Sequence, residues 1–345
     1  MKCHSPIARF ARRASALIER FIADGADPYA LGFFRIAVSV VAIIQVFILW
    51  PYLLQLYGNF GFIQWALIET ETDTWLPSVG KLAILLQPYR VSSSACVQGV
   101  FVFYALSLLG LLVGWKTRLF AISSWLAHTL AVNSGYISLY GVDTMIHICL
   151  FYCAWMPVGH CFSLDQNYRQ GPVSPSFFAG ISMRTLQLHL CIIYFSTGLA
   201  KVKGLQWWTG DALWRAFMQP QFSVFDLSWL AWAPWLAQIG CWLVMLIEVG
   251  YPFLIWPAKS RPIWVIATIA LHLGIGMIMG LWMFSIMMIV MTFSAFGLRL
   301  ILNRMSYGQL RTVQISEGPR TTTFSAFYAV SRASGPEISA VHMML

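Results

Sequence analysis

Charge is scarce in this sequence. Asp, Glu, Lys and Arg make up 10% of the 345 residues, against about 25% in a typical soluble domain. Too few polar side chains are present to cover a water-soluble globule. The alternating segments of about ten residues that build outer-membrane barrels are missing as well. The seven cysteines are odd in number, have no repeated spacing, and mostly sit inside apolar runs, so no disulfide framework is expected. Cys149 and Cys153, one helical turn apart, read as small buried residues. No cluster of His, Cys and carboxylates has metal-ligand spacing, so no metal is expected. No glycine-rich phosphate loop follows a strand. No internal repeat appears, which weakens an inverted-repeat transporter.

Long apolar runs are what the chain has instead. It is 59% hydrophobic with a mean hydropathy of +0.69, the pattern of an all-α, polytopic membrane bundle. The 16 Trp and 24 Phe residues suit interfacial belts and tight helix packing. About eight spans are predicted, over residues 29–50, 95–114, 119–134, 143–158, 183–202, 234–257, 262–281 and 283–300. Phe10 to Phe21 and Trp207 to Met218 read as surface-lying amphipathic helices. Residues 51–93 are too apolar for water and too interrupted to span, so they are expected to cap the bundle. The domain reading is a basic amphipathic segment over 1–28 rather than a cleaved leader. A transmembrane domain follows over 29–304, and then a Ser-, Thr- and Arg-rich tail over 305–345, predicted to be disordered.

Net charge is +9, but the basic residues cluster at span ends, which points to lipid headgroups and not to nucleic acid. Lys116, Arg118, Arg169, Arg184, Lys259, Arg261, Arg299 and Arg304 fall on one side of the eight-span topology. By the positive-inside rule that side is the cytoplasm, with both termini there and the chain in a cell membrane, the bacterial inner membrane. Glu69, Glu71, Asp73, Asp211 and Asp226 fall on the other side. Lys201, Lys203 and Arg215 break the rule, since they sit outside.

An ionisable residue in a bilayer is a site hypothesis by default. Arg35, near the start of the first span, is explained by snorkelling to the headgroups. Asp143 reads equally as a helix N-cap and as a site residue, with His147 on its face four residues on. Glu248, well inside its span, must be protonated, paired or facing water. His272, flanked by glycines, and the weaker His128 and His189 read first as satisfied packing. Lys201 and Lys203 point about 200° apart on one helix. Lys201 continues the small, polar face of Tyr194, Thr197 and Gly198, where desolvation would favour a neutral amine able to act as a base. Lys203 can reach the headgroups. Base and anchor both remain open from spacing alone.

The stretch "YFSTGLAKVKGLQWWTGDALW" resembles the signature of the horizontally transferred transmembrane (HTTM) family, bacterial relatives of vitamin K-dependent gamma-carboxylase. The matching residues are Tyr194, Gly198, Lys201, Trp208 and Gly210. "FFRI" from Phe33, "LYGVD" from Leu139, "FSLD" from Phe162, Glu248 in "IEVGYP" and His272 in "ALHLGI" recur in order, so the resemblance covers roughly residues 25 to 300. It implies a membrane enzyme in which Lys201 is the base that deprotonates a reduced quinone, vitamin K-like, on the extracytoplasmic side. Two departures stand out. Tyr136 occupies the position of the carboxylase histidine in the loop before Tyr140 and Gly141. The large lumenal domain of the carboxylase has no counterpart here, which implies a small substrate, a secreted peptide, or a partner protein that supplies the missing part.

The candidate site is therefore Lys201 as base, with Tyr136, Asp143, His147, Tyr194, Thr197, Gly198, Glu248 and His272 around a lipophilic, quinone-like ligand. The rival reading is non-enzymatic: a lipid- or peptide-binding membrane protein, or a transporter, with Lys201 paired to Glu248 or Asp143. An enzyme predicts a closed, apolar-walled cavity with Lys201 unpaired at its end. Transport predicts a salt-bridged lysine in a through-going polar path.

Overall fold

The computed structural model is helical throughout its described residues, which are 21, 28–62, 64–71, 75–135, 139–169, 175–222, 224–298 and 300–301; no strand forms among them. The chain divides into two compact units, Met1–Arg299 and Leu300–Leu345. Only Leu300 and Ile301 of the second are described, so the predicted tail lies outside the described residues, as does most of the Phe10 to Phe21 helix.

Helix α1 (Tyr29–Leu49) leads through the short α2 (Leu53–Tyr57) and α3 (Trp65–Glu71) to α4 (Val79–Leu86). α5 (Ser93–Val113) and α6 (Thr117–Ser134) form a hairpin against α1, and α7 (Gly141–Trp155) packs on α6. After the short α8 (Leu164–Arg169) comes α9 (Phe177–Lys203), of 27 residues. Two interfacial pieces, α10 (Leu205–Thr209) and α11 (Asp211–Met218), lead to α12 (Pro234–Leu254), which runs along α9. α13 (Arg261–Met279) and α14 (Trp282–Thr292) complete the unit, α14 continuing into a π-helical turn over Phe293–Gly297. α14 touches α13, α7 and α1, and so stands between the two halves of the bundle.

Five helices are long and apolar enough to cross a membrane: Tyr29–Tyr57, Ser93–Val113, Phe177–Lys203, Pro234–Leu254 and Arg261–Met279. A helix of 21 residues is about 31 Å long, enough for a hydrocarbon core of about 30 Å. Gly141–Trp155 and Trp282–Gly297 are apolar but shorter, and α6 is not among the five.

Serines start several helices. Ser78, Ser92 and Ser176 accept hydrogen bonds from the backbone N–H groups of Lys81, Ala95 and Ala179 at 3.1–3.2 Å, satisfying donors the helices themselves leave free. The interrupted 51–93 connection is fixed to the bundle at its end. Ser134 Oγ accepts from Val79 N at 2.7 Å, and Asn133 Nδ2 donates to the Pro77 carbonyl at 2.8 Å.

Two expectations change. Arg35 does not snorkel: it is fully buried. Its guanidinium donates to the carbonyls of Leu111, Leu112, Phe162 and, at 3.3 Å, Val158. The final carbonyls of α5 have no acceptor role left inside the helix, and five fixed N–H donors on one side chain can serve them. The Trp207 to Met218 segment is two helices, not one. Gly210 breaks it with φ +93°, and a Cβ there would stand 2.7 Å from the Gln238 backbone nitrogen.

Candidate functional site

The site is assembled where α9 and α12 touch. Gly198 makes the approach possible: a Cβ on it would come within 2.9 Å of Val249 N and 3.0 Å of Glu248 Cβ. With that space clear, Lys201, one turn on, reaches across, and its Nζ lies 2.7 Å from Glu248 Oε2. Side-chain exposure is 21% for Lys201 and 10% for Glu248. The chain then turns back at Gly204, and the Trp207 ring comes to 5.2 Å from Nζ, a cation–π contact. Trp208 ties the same corner down. Its indole donates to the Val202 carbonyl at 2.8 Å, and its own carbonyl accepts from Gln238 and Trp242 of α12.

On the α12 side, Pro252 lies inside the helix four residues after Glu248. Proline has no N–H, so the Glu248 carbonyl loses its usual i+4 donor and the helix is weakened beside the carboxylate. On the far wall, Tyr194 OH and His272 Nε2 are 2.8 Å apart. Tyr194 lies against Tyr251, the rings tilted with centroids 4.3 Å apart, and Phe284 sets its edge against His272 at 5.7 Å. His272 Nδ1 is buried with no hydrogen-bond partner among the described residues.

These groups border a cavity of about 610 Å³ between α9, α11, α12, α13 and α14. Its walls are mainly apolar, from Leu213, Phe217, Val244, Ile275 and Met288, while Lys201, Glu248, Tyr194 and His272 supply the polar groups. Ala267, Ala270 and Gly274 of α13 also line it, and a Cβ on Gly274 would meet nothing within 4 Å. A second hollow, of about 310 Å³ between α1 and α5, is walled by residues such as Ile43, Phe47 and Leu109 and offers no ionisable group.

The structure thus brings together Lys201, Glu248, Tyr194, Thr197 and His272 at one cavity, with Gly198 holding the helices close. The Thr197 hydroxyl is engaged locally, donating to the Ile193 carbonyl at 2.9 Å. Lys203 is exposed and takes no part. Asp143 and His147 are not in this group. Asp143 accepts from Gln45 Nε2 at 2.6 Å and from Tyr140 N at 3.0 Å, the capping role. His147 Nδ1 meets His128 Nδ1 at 3.3 Å, the rings stacked. Both belong to a separate polar cluster between α1, α6 and α7. Asp165 of "FSLD" is likewise a cap, accepting from Lys116 N and Thr117 N at the start of α6. Tyr136 lies outside the described residues. Sequence reasoning overlooked Trp207 as a cover for Lys201, although the helix-breaking Gly204 between them signalled the reversal. Nothing in the sequence pointed to Phe284.

The criterion set for Lys201 divides. The cavity is apolar-walled, as an enzyme predicts, but partly open rather than closed; the lysine is paired, as binding or transport predicts. No protein-family model, curated protein or solved structure matches the chain.

Proposed function

We propose that this chain is an integral membrane enzyme of the HTTM type, in which Lys201 and Glu248 act together as a base toward a lipophilic ligand of the reduced-quinone class. One observation carries the reading: an acid–base pair stands at an apolar cavity large enough for a lipophilic ring system. The polar residues that line the cavity, Lys201, Glu248, Tyr194 and His272, would hold the oxygens of such a ligand. When bound, a reduced quinone supplies an acidic hydroxyl and two reducing electrons.

Lys201 meets its task through its partner. Glu248 Oε2 lies 2.7 Å from Nζ, close enough to accept its proton during the reaction. The neutral Nζ then has a lone pair that can take one proton. The eight-span topology with cytoplasmic termini belongs to the same proposal, α6, α7 and α14 being the short crossings. So do the bacterial inner membrane and a small or peptidic second substrate. The basic residues that follow α5 and α12, Lys116, Arg118, Lys259 and Arg261, support the orientation.

The salt bridge favours a second reading, a non-catalytic binding protein for lipid or peptide. Transport is less favoured because the cavity walls are apolar. Native mass spectrometry of the gently extracted protein separates these. A retained quinone-class molecule is expected, and Gly274→Leu, whose Cβ would meet nothing within 4 Å and whose side chain would occupy the cavity, should release it. Any turnover should vanish in Lys201→Arg, since a guanidinium stays protonated, and survive in Lys203→Arg. If no quinone-class molecule is retained, or Lys201→Arg is tolerated, the enzyme reading fails.

A further inference from the structure

A further hollow, polar and open, lies on the outer face of α11. Gln206, Thr209, Asp211, Arg215 and Gln219 line it, together with Ala212 and Ala216. Its volume is about 610 Å³. α11 is strongly two-faced. Leu213 and Phe217 turn toward the apolar cavity, while Asp211, Arg215 and Gln219 turn outward. Ala212 and Ala216 line both hollows, so only the alanine stripe separates polar from apolar there.

Asp211 and Arg215 are exposed, and neither has an ion-pair partner among the described residues. They stand four residues apart on one helix, where such side chains can pair, yet they flank the hollow instead. The helix dipole accounts for the order of their signs. It does not account for Gln206 and Gln219 framing the same space.

The depth of this cleft is fixed by its connections. α9 ends at Lys203 and α12 begins at Pro234, and both helices are long and apolar enough to cross a membrane. The loop that joins them therefore lies at one membrane surface. Trp208, Trp229, Trp232 and Trp235 are exposed around it, Trp232 by 91%, as in the aromatic belts that mark the headgroup level. A cleft at that level, with one free carboxylate and one free guanidinium, matches a headgroup carrying one ammonium and one phosphate.

We propose that this cleft is a binding site for a zwitterionic phospholipid, with the phosphate on Arg215 and the ammonium on Asp211. The acyl chains descend past Ala212 and Ala216, so the bound lipid stands at the rim of the apolar cavity. Arg suits the phosphate because its planar fork matches two oxygens. Asp211 provides selectivity, because it repels a headgroup that carries only negative charge. The inference goes beyond the chemistry proposed for Lys201 and does not depend on it.

The test is competitive lipid retention, read by native mass spectrometry on the full chain. Dioleoyl phosphatidylethanolamine and dioleoyl phosphatidylglycerol are supplied in equal amounts. The wild type should retain the ethanolamine lipid in excess, by up to about fivefold, the scale of an exposed ion pair. Asp211→Asn should abolish that preference, and Arg215→Gln should weaken both lipids. Both residues are exposed, so thermal stability should be unchanged in each variant, and a shared fall in stability is detected separately. Soluble glycerophosphoethanolamine should not displace the lipid. The proposal is overturned if the wild type retains the glycerol lipid equally well, if Asp211→Asn leaves the ratio unchanged, or if the soluble headgroup displaces the lipid. The ratio is read without turnover and at residues away from Lys201, so its failure leaves the base reading untouched, and the failure of Lys201→Arg to matter leaves this one standing.

Discussion

Lys201 and Glu248 have to be understood as one group. A solitary desolvated lysine could be replaced by alanine with relief of a burial cost. The 2.7 Å pair reverses that expectation, because Lys201→Ala strands a nearly buried carboxylate. Breaking a buried pair costs on the order of 3 kcal/mol, somewhat less here because Lys201 keeps 21% of its side chain exposed. Thermal unfolding in detergent should show Lys201→Ala and Glu248→Ala each clearly destabilised. The double Lys201→Ala, Glu248→Ala variant should be less destabilised than the sum of the two. Strict additivity would mean that the pair contributes nothing. At this scale the face of Lys201 was readable from helical spacing, since Tyr194 and Thr197 do border the same cavity. Asp143 and His147 were not separable from it by sequence. Their distance from Lys201 depends on where α7 lies relative to α9, and α14 comes between the two halves of the bundle.

Helix contact is the next scale, and Gly198 controls it. A methyl group there would press on Val249 N at 2.9 Å, a backbone atom that cannot swing aside. Gly198→Ala should therefore push α9 off α12 and lengthen the Lys201–Glu248 contact, although Ala is the better helix former by about 1 kcal/mol. A lower melting temperature, with coupling between Lys201 and Glu248 weakened in a double-mutant cycle, is the expected result. Gly274→Ala, where nothing lies within 4 Å, should be neutral or slightly stabilising. Element positions were largely legible. The predicted spans at 95–114, 234–257 and 262–281 match α5 (Ser93–Val113), α12 (Pro234–Leu254) and α13 (Arg261–Met279) within a few residues. α9 begins at Phe177, earlier than predicted, because Arg184 does not break it. That guanidinium lies over the Phe21 ring at 4.2 Å and donates to Gln187 at 2.9 Å. The break at Gly210 was missed, since a positive φ leaves no trace in an amphipathic pattern.

For the whole molecule, the distribution of charge makes a claim about sidedness. Gln64, in the connection before α3, and Lys259, between α12 and α13, are both exposed, and the positive-inside count puts them on opposite faces. Single cysteines at these two positions, in a background lacking the native ones, should react with an impermeant thiol reagent from opposite sides of sealed vesicles. Reaction from the same side would overturn the eight-span topology.

Arg35 bears on how such a chain is made. Its acceptors at Leu111, Val158 and Phe162 lie 76, 123 and 127 positions later. A ribosome therefore delivers the guanidinium well before any of the carbonyls that hold it. An arginine at the centre of an inserted helix costs roughly 2.5–3.5 kcal/mol on the insertion scale, and less toward the helix start, where Arg35 lies. The nascent first helix must carry that cost until the turn at Phe162 emerges. Insertion of this protein is thus not a series of independent steps: α1 is not secured until α7 and the turn after it have followed.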